Sequence, residues 1–142
     1  MSLGEEHKDY LWRHFEFNAE QRLKAFNFFV VLSVFADGGI LAAIEKGFSP
    51  VLLLLIAGFV VAVSVVFYWI DLRSNELLNL AVPGLMSYEK ALPEEARIFT
   101  IDAKRPKLRL ARYTVAFRTL FGMQFLFGLG VVAFALRKLA CS

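Results

Sequence analysis

The chain has 142 residues, 58% of them hydrophobic, with a mean hydropathy of +0.55 and a formal net charge of +3. A soluble domain is only about half apolar even with glycine counted, so this composition argues against an ordinary water-soluble fold and for an all-α integral membrane protein. Three long apolar runs leave no room for a separate soluble core, and the one cysteine, Cys141, rules out an intramolecular disulfide or a cysteine metal set.

The opening residues MSLGEEHKDY lack a basic stretch followed by an apolar one, so the first span is expected to direct its own insertion. Trp12, Phe15, Ala19, Leu23 and Phe26 recur at steps of three or four, which predicts that residues 1–24 form an amphipathic helix running into the first span. Asp9 with Arg13 and Glu20 with Lys24 are i,i+4 pairs on its other side. A membrane helix needs roughly 20 apolar residues, and three windows qualify: 25–44, 50–70 and 119–136. The second is uncharged from Pro50 to Ile70, with Ser49 as cap, Pro50 in the first turn, and Tyr68 and Trp69 where an interfacial aromatic belt belongs.

After that span, DLRSNELLNLAV extends the helix, and Pro83-Gly84 is expected to interrupt it. LMSYEKAL reads as a short helix, and Pro93 with Glu94 and Glu95 as the start of another. The connection 71–118 then returns to the bilayer for the third span, giving one membrane domain over residues 1–142. Lys and Arg number thirteen in segments 1–24 and 71–118 against three in the 45–49 loop and the tail. By the positive-inside rule, the N-terminus and the long connection lie in the cytoplasm.

One carboxylate, Asp37, interrupts the first span. An ionised Asp at the centre of a lone helix costs about 2.5 to 3.5 kcal/mol on insertion scales, so it is expected to face other helices or water. Ser33 lies one turn before it, and Gly38 and Gly39 follow; the second span offers Gly58, and the third offers Gln124 and Gly128 on one face. Small residues let helix backbones approach closely, within one chain or between copies. These seven positions are candidates for helix packing, or for a polar path across the bilayer in which acidic side chains favour cations. The plainer alternative has Asp37 hydrogen-bonded inside a helix pack.

Lys104, Arg105, Lys107, Arg109 and Arg112 form a basic cluster ahead of the third span. Anionic phospholipid attracts such clusters with about 1 kcal/mol per cation, and no nucleic-acid motif accompanies it, so lipid is the expected partner and nucleic acid is not. For catalysis the inventory is thin. His7 and His14 share one helix face without a third metal ligand, and Glu94 and Glu95 diverge around a helix. With no set of nucleophile, base and orienting group, the chain is not expected to be an enzyme or to hold a metal or cofactor.

The stretch DYLWRHFEFNAEQRLKAFNFFVVLS, followed by a two-span hairpin and DLRSNELLNL, resembles small bacterial membrane proteins encoded beside restriction, CRISPR and nucleotide-signalling defence genes. SLATT-type two-span effectors are the best-described group of these. The likeness covers residues 9–92 and is strongest from Phe15 to Phe29. It implies an effector that oligomerises in the bacterial inner membrane and disturbs it when a sensor detects infection; the third span and the lack of a sensor domain depart from that pattern. The expected function is therefore an oligomeric, membrane-permeabilising effector under a cytoplasmic protein partner. The alternatives are a membrane anchor that recruits a soluble partner without conducting ions, and a transporter or respiratory subunit whose Asp37 handles protons or cations.

Overall fold

A computed structural model describes residues 3–104 and 113–142, and the described chain is all-α. Helix α1 covers Leu3–Glu45, α2 Pro50–Glu89, α3 Ile98–Lys104 and α4 Tyr113–Ala140, with one 3-10 turn at Glu94–Ala96. Helices α1, α2 and α4 are each long and apolar enough to cross a membrane. α1 and α2 form an antiparallel hairpin. Its turn is built by Gly47, whose φ of +67° suits a residue without Cβ, and by Ser49, whose hydroxyl accepts the Leu52 N–H at 3.3 Å ahead of Pro50.

The 43 residues of α1 make a rod about 64 Å long, roughly twice the hydrocarbon thickness of a bilayer. The hairpin therefore has an apolar half near the Gly47 turn and a stalk formed by the start of α1 and the end of α2. One packing pattern runs through both halves. From Leu53 the inward positions of α2 step by four and three through Ala57, Val60, Ser64, Phe67 and Asp71, then on through Ser74, Leu78, Ala81, Leu85 and Tyr88. A mean step of 3.5 residues is the heptad period, which keeps one seam facing the partner helix through a left-handed supercoil.

α4 packs along α2, antiparallel to it, and closes the apolar half into a three-helix unit. Near the turn, Ile40 and Ala43 of α1 meet Leu53, Ala57 and Val60 of α2 and Val131 and Ala135 of α4. Further down, the core is aromatic. Phe26 stacks on Phe117 at 3.8 Å between ring centroids, and Phe29, fully buried, meets Phe121 edge-on at 4.7 Å. Fewer than a quarter of the residues in each apolar window are buried inside the chain, which leaves the outer faces for lipid or other copies.

Two expectations are corrected. Pro83-Gly84 does not end the helix: α2 continues to Glu89 and absorbs LMSYE. Proline removes one backbone bond there, but α1 packs against the site so closely that a Cβ on Gly84 would stand 2.6 Å from Leu11 Cδ1. Tertiary packing thus carries the helix across a local breaker. The inward face of the α1 stalk is also turned from the predicted one. Trp12 and Leu23 are about half exposed, while Leu11, His14, Asn18 and Arg22 face α2. Of the two predicted surface pairs, Glu20–Lys24 forms at 2.8 Å.

Candidate functional site

The polar groups of the spans fall into two levels. In the apolar half, Gln124 of α4 donates its Nε2–H to Asp37 Oδ1 of α1 at 2.6 Å, and both side chains are half-buried. Ser33 and Gln124 line a narrow gap beside Ala36, Val60 and Val63 that has no room for water. An interhelical hydrogen bond at this depth contributes on the order of 1 kcal/mol and shields the carboxylate from lipid on one side.

Where the spans meet the stalk, Arg22 joins the three long helices. Its Nε donates to Asp71 Oδ1 at 2.6 Å, Nη1 to Asn75 Oδ1 at 3.5 Å and Nη2 to Thr114 Oγ1 at 3.0 Å. The side chains of Arg22 and Asp71 are only 12% and 3% exposed. Phe117 lies under the guanidinium, 5.2 Å from ring centroid to Cζ. Asp71 Oδ2 has no partner among the described residues and neither does the buried Nε of Arg118. A void of about 10 Å³ lined by Arg22, Asp71 and Ser74 is close to the size of one water.

Sequence reasoning missed this junction. Arg22 and Asp71 sit at the ends of apolar windows, where a charge reads as topology signal and solvated surface. The 4-3 stepping from Leu53 is the signal that places Asp71 on the buried seam.

The candidate glycines separate into two groups. At Gly128 a Cβ would lie 2.8 Å from Val61 Cγ2, 3.1 Å from Val60 Cγ1 and 3.3 Å from the Val61 backbone nitrogen, so α4 touches α2 there. At Gly38, Gly39 and Gly58 a Cβ would meet nothing within 4 Å, so these positions make no close contact with the described residues of the single chain.

In the stalk, both histidines bridge α1 to α2. His14 Nε2 lies 3.1 Å from the Leu77 carbonyl, which only accepts, so that nitrogen carries the proton; His7 Nδ1 meets Tyr88 Oη at 2.6 Å. Glu89 ends the seam and holds α3. Its carboxylate accepts the Phe99 N–H at 2.9 Å and the Thr100 N–H and Oγ1–H, both at 3.0 Å. Burial pushes the Glu89 carboxyl up, but those bonds together with the charge of Arg97 outweigh it and hold the group below its ordinary value. Of the basic cluster, Lys104 is exposed at the end of α3, whereas Arg105, Lys107, Arg109 and Arg112 lie outside the described residues.

No protein-family description and no solved structure matches the chain. Among curated proteins it is similar to CD-NTase-associated protein 19 of Escherichia coli, at 31% identity over 104 residues, which is 72% of this chain and 69% of that relative.

Proposed function

Because the chain belongs to the family of CD-NTase-associated protein 19, we propose that it serves bacterial anti-phage defence as a membrane effector. In this reading several copies assemble in the inner membrane, with the N-terminus and stalk in the cytoplasm. A cytoplasmic protein partner signals to the stalk, the spans repack, and the bilayer leaks. The chain catalyses nothing itself, and the narrower likeness of its hairpin to SLATT-type effectors belongs to the same proposal.

The observation that carries the reading is the continuity of the hairpin. The heptad seam of α2 passes without a break from the apolar half into the stalk, and Arg22 ties α1, α2 and α4 together where the two halves meet. A rotation imposed on the stalk is thereby delivered to the three spans as a unit. Asp37 with Gln124 supplies a polar pair, and the open positions Gly38, Gly39 and Gly58 supply surfaces on which copies can approach. The basic cluster from Lys104 to Arg112 would hold the connection against anionic lipid.

The test is to express the chain alone and with its neighbouring genes while a potential-sensitive dye reports the membrane. Depolarisation on triggering supports the effector. Asp37→Asn is expected to keep assembly and alter ion selectivity or conductance; unchanged leak with that variant would remove Asp37 from the path.

A second reading, a membrane anchor that recruits a soluble partner without conducting ions, is favoured by the gap beside Ser33 and Gln124 being too narrow for water in a single chain. Recruitment of a soluble protein with the membrane potential intact would select it.

A further inference from the structure

At the level of the Arg22 junction one cation is left without a counter-charge. Arg118 stands in the second turn of α4, half-buried, and its Nε is enclosed with no hydrogen-bond partner among the described residues. We propose that the guanidinium of Arg118 holds the headgroup phosphate of one anionic phospholipid, in the leaflet on the stalk side. The site is separate from the basic cluster of the connection, and it goes beyond the effector reading because it is defined by lipid binding and needs no leak.

The charges of the chain leave Arg118 to an outside partner. No Asp or Glu follows Asp102 in the sequence. On α1 and α2 the acids near this depth are engaged: Asp71 Oδ1 by Arg22 at 2.6 Å, Glu20 by Lys24 at 2.8 Å and Glu76 by Arg73 at 3.4 Å. Asp71 Oδ2 is unpartnered among the described residues and so makes no bond to Arg118, and its charge is balanced by Arg22. The three pairs cancel, and the charge of Arg118 remains. Zwitterionic lipid brings no net charge to offset it, whereas an anionic headgroup does.

Depth supports the same partner. Thr114 meets Arg22 beside Asp71, one residue past the uncharged run of α2 that ends at Ile70. Trp69 and Tyr113, 66% and 80% exposed, mark this level as the aromatic belt. Arg118 starts one turn deeper than Thr114, about 6 Å along the axis. Helical side chains lean toward the N-terminus of their helix, which for α4 is the stalk side, so the long stem of Arg118 leads back to the level of the headgroups. With Nε enclosed, the terminal nitrogens, which form no hydrogen bond to a described residue, are the donors that meet lipid. Their fork matches two phosphate oxygens.

The experiment purifies the full chain in neutral detergent and adds phosphatidylglycerol, phosphatidylcholine or water-soluble glycerol 3-phosphate, reading retained lipid by native mass spectrometry and stability by thermal unfolding. We expect phosphatidylglycerol to be retained and to raise the unfolding temperature, phosphatidylcholine to do so much less, and glycerol 3-phosphate at the same concentration to do neither. Arg118→Gln should hold one phosphatidylglycerol fewer than the parent and weaken that binding at least about tenfold, the loss of one charge-assisted contact. Arg118→Lys should recover part of it, and Arg73→Gln, an exposed cation of the stalk, should bind like the parent. Without lipid, Arg118→Gln should unfold at the parent's temperature. The proposal is overturned if Arg118→Gln retains as much phosphatidylglycerol as the parent, if phosphatidylcholine protects equally, or if glycerol 3-phosphate displaces the lipid. It is also overturned if Arg118→Gln is destabilised equally with and without lipid, which would assign Arg118 to packing within the protein.

Discussion

Arg22 contacts α1's two neighbours at once, and its environment decides what its removal would do. Truncating one member of a buried ion pair strands the other charge, at a cost of about 3 to 5 kcal/mol, whereas replacing both members with apolar side chains of similar volume is often neutral. Arg22→Ala is therefore expected to destabilise the chain by about that amount in detergent unfolding titrations. The double variant Arg22→Met with Asp71→Leu should recover most of it; if the double variant is as unstable as the single, the pair is not coupled and the junction is held by something else. These residues also show where sequence reading runs out. Hydropathy picks out Asp37 because a carboxylate inside an apolar window has no bland surroundings. It passes over Arg22 and Asp71 because at the edge of a window a charge is ordinary. Their burial depends on a seam that becomes visible only when the 4-3 stepping of α2 is followed past the end of the apolar run.

Among the helices, the number of spans and the hairpin were legible, since three uninterrupted apolar runs and a Gly47–Pro50 turn leave few alternatives. The continuation of α2 through Pro83 was not, because propensity is local and the packing of Leu11 on Gly84 is not. Contacts between α2 and α4 predict an asymmetry among glycines. Gly128→Ala should destabilise by about 1 to 3 kcal/mol, because the Val61 backbone nitrogen cannot move aside, while Gly58→Ala should be neutral or stabilise by up to about 1 kcal/mol as a better helix former in open space. Detergent unfolding of the two variants checks this directly. If Gly58→Leu leaves the protomer folded but abolishes cross-linked oligomers, that face is where copies meet. The docking of α3 carries a pH dependence of fixed sign. The Glu89 carboxyl lies below its ordinary value of 4.5 in the folded chain, so its contribution is complete above 4.5 and fades as pH falls through the lower, folded value. Hydrogen exchange at Phe99 and Thr100, corrected for intrinsic rates, should be protected near neutrality and lose that protection in acid; Glu89→Gln should weaken it at neutral pH. Protection that is independent of both would detach α3 from Glu89.

Taken whole, the described molecule is a rod with an apolar half and a stalk. The apolar half is thin: most of each window faces outward, and the gap beside Ser33 and Gln124 admits no water, so in the proposed reading a leak requires copies to repack. In the proposed reading, what carries a signal from the far end of the stalk to the spans is phase. Along α2 the same side of the helix faces α1 from Leu53 to Tyr88, so a turn of the stalk is a turn of the span, provided the heptad register is unbroken. This can be separated from mere length. Paired insertions after Asn18 in α1 and after Asn75 in α2 lie at matching depth, between the Arg22 junction and the His14–Leu77 contact. Seven inserted residues lengthen the stalk by about 10 Å and restore the phase to within about 20°, whereas two inserted residues turn the seam by about 200° and add only about 3 Å. Membrane insertion should be normal in both. Partner-triggered depolarisation should survive the seven-residue pair and be lost with the two-residue pair. Equal loss in both would mean that stalk length and not rotational phase governs the response; equal retention would mean that the spans take their signal without the stalk, and that the buried seam serves folding alone.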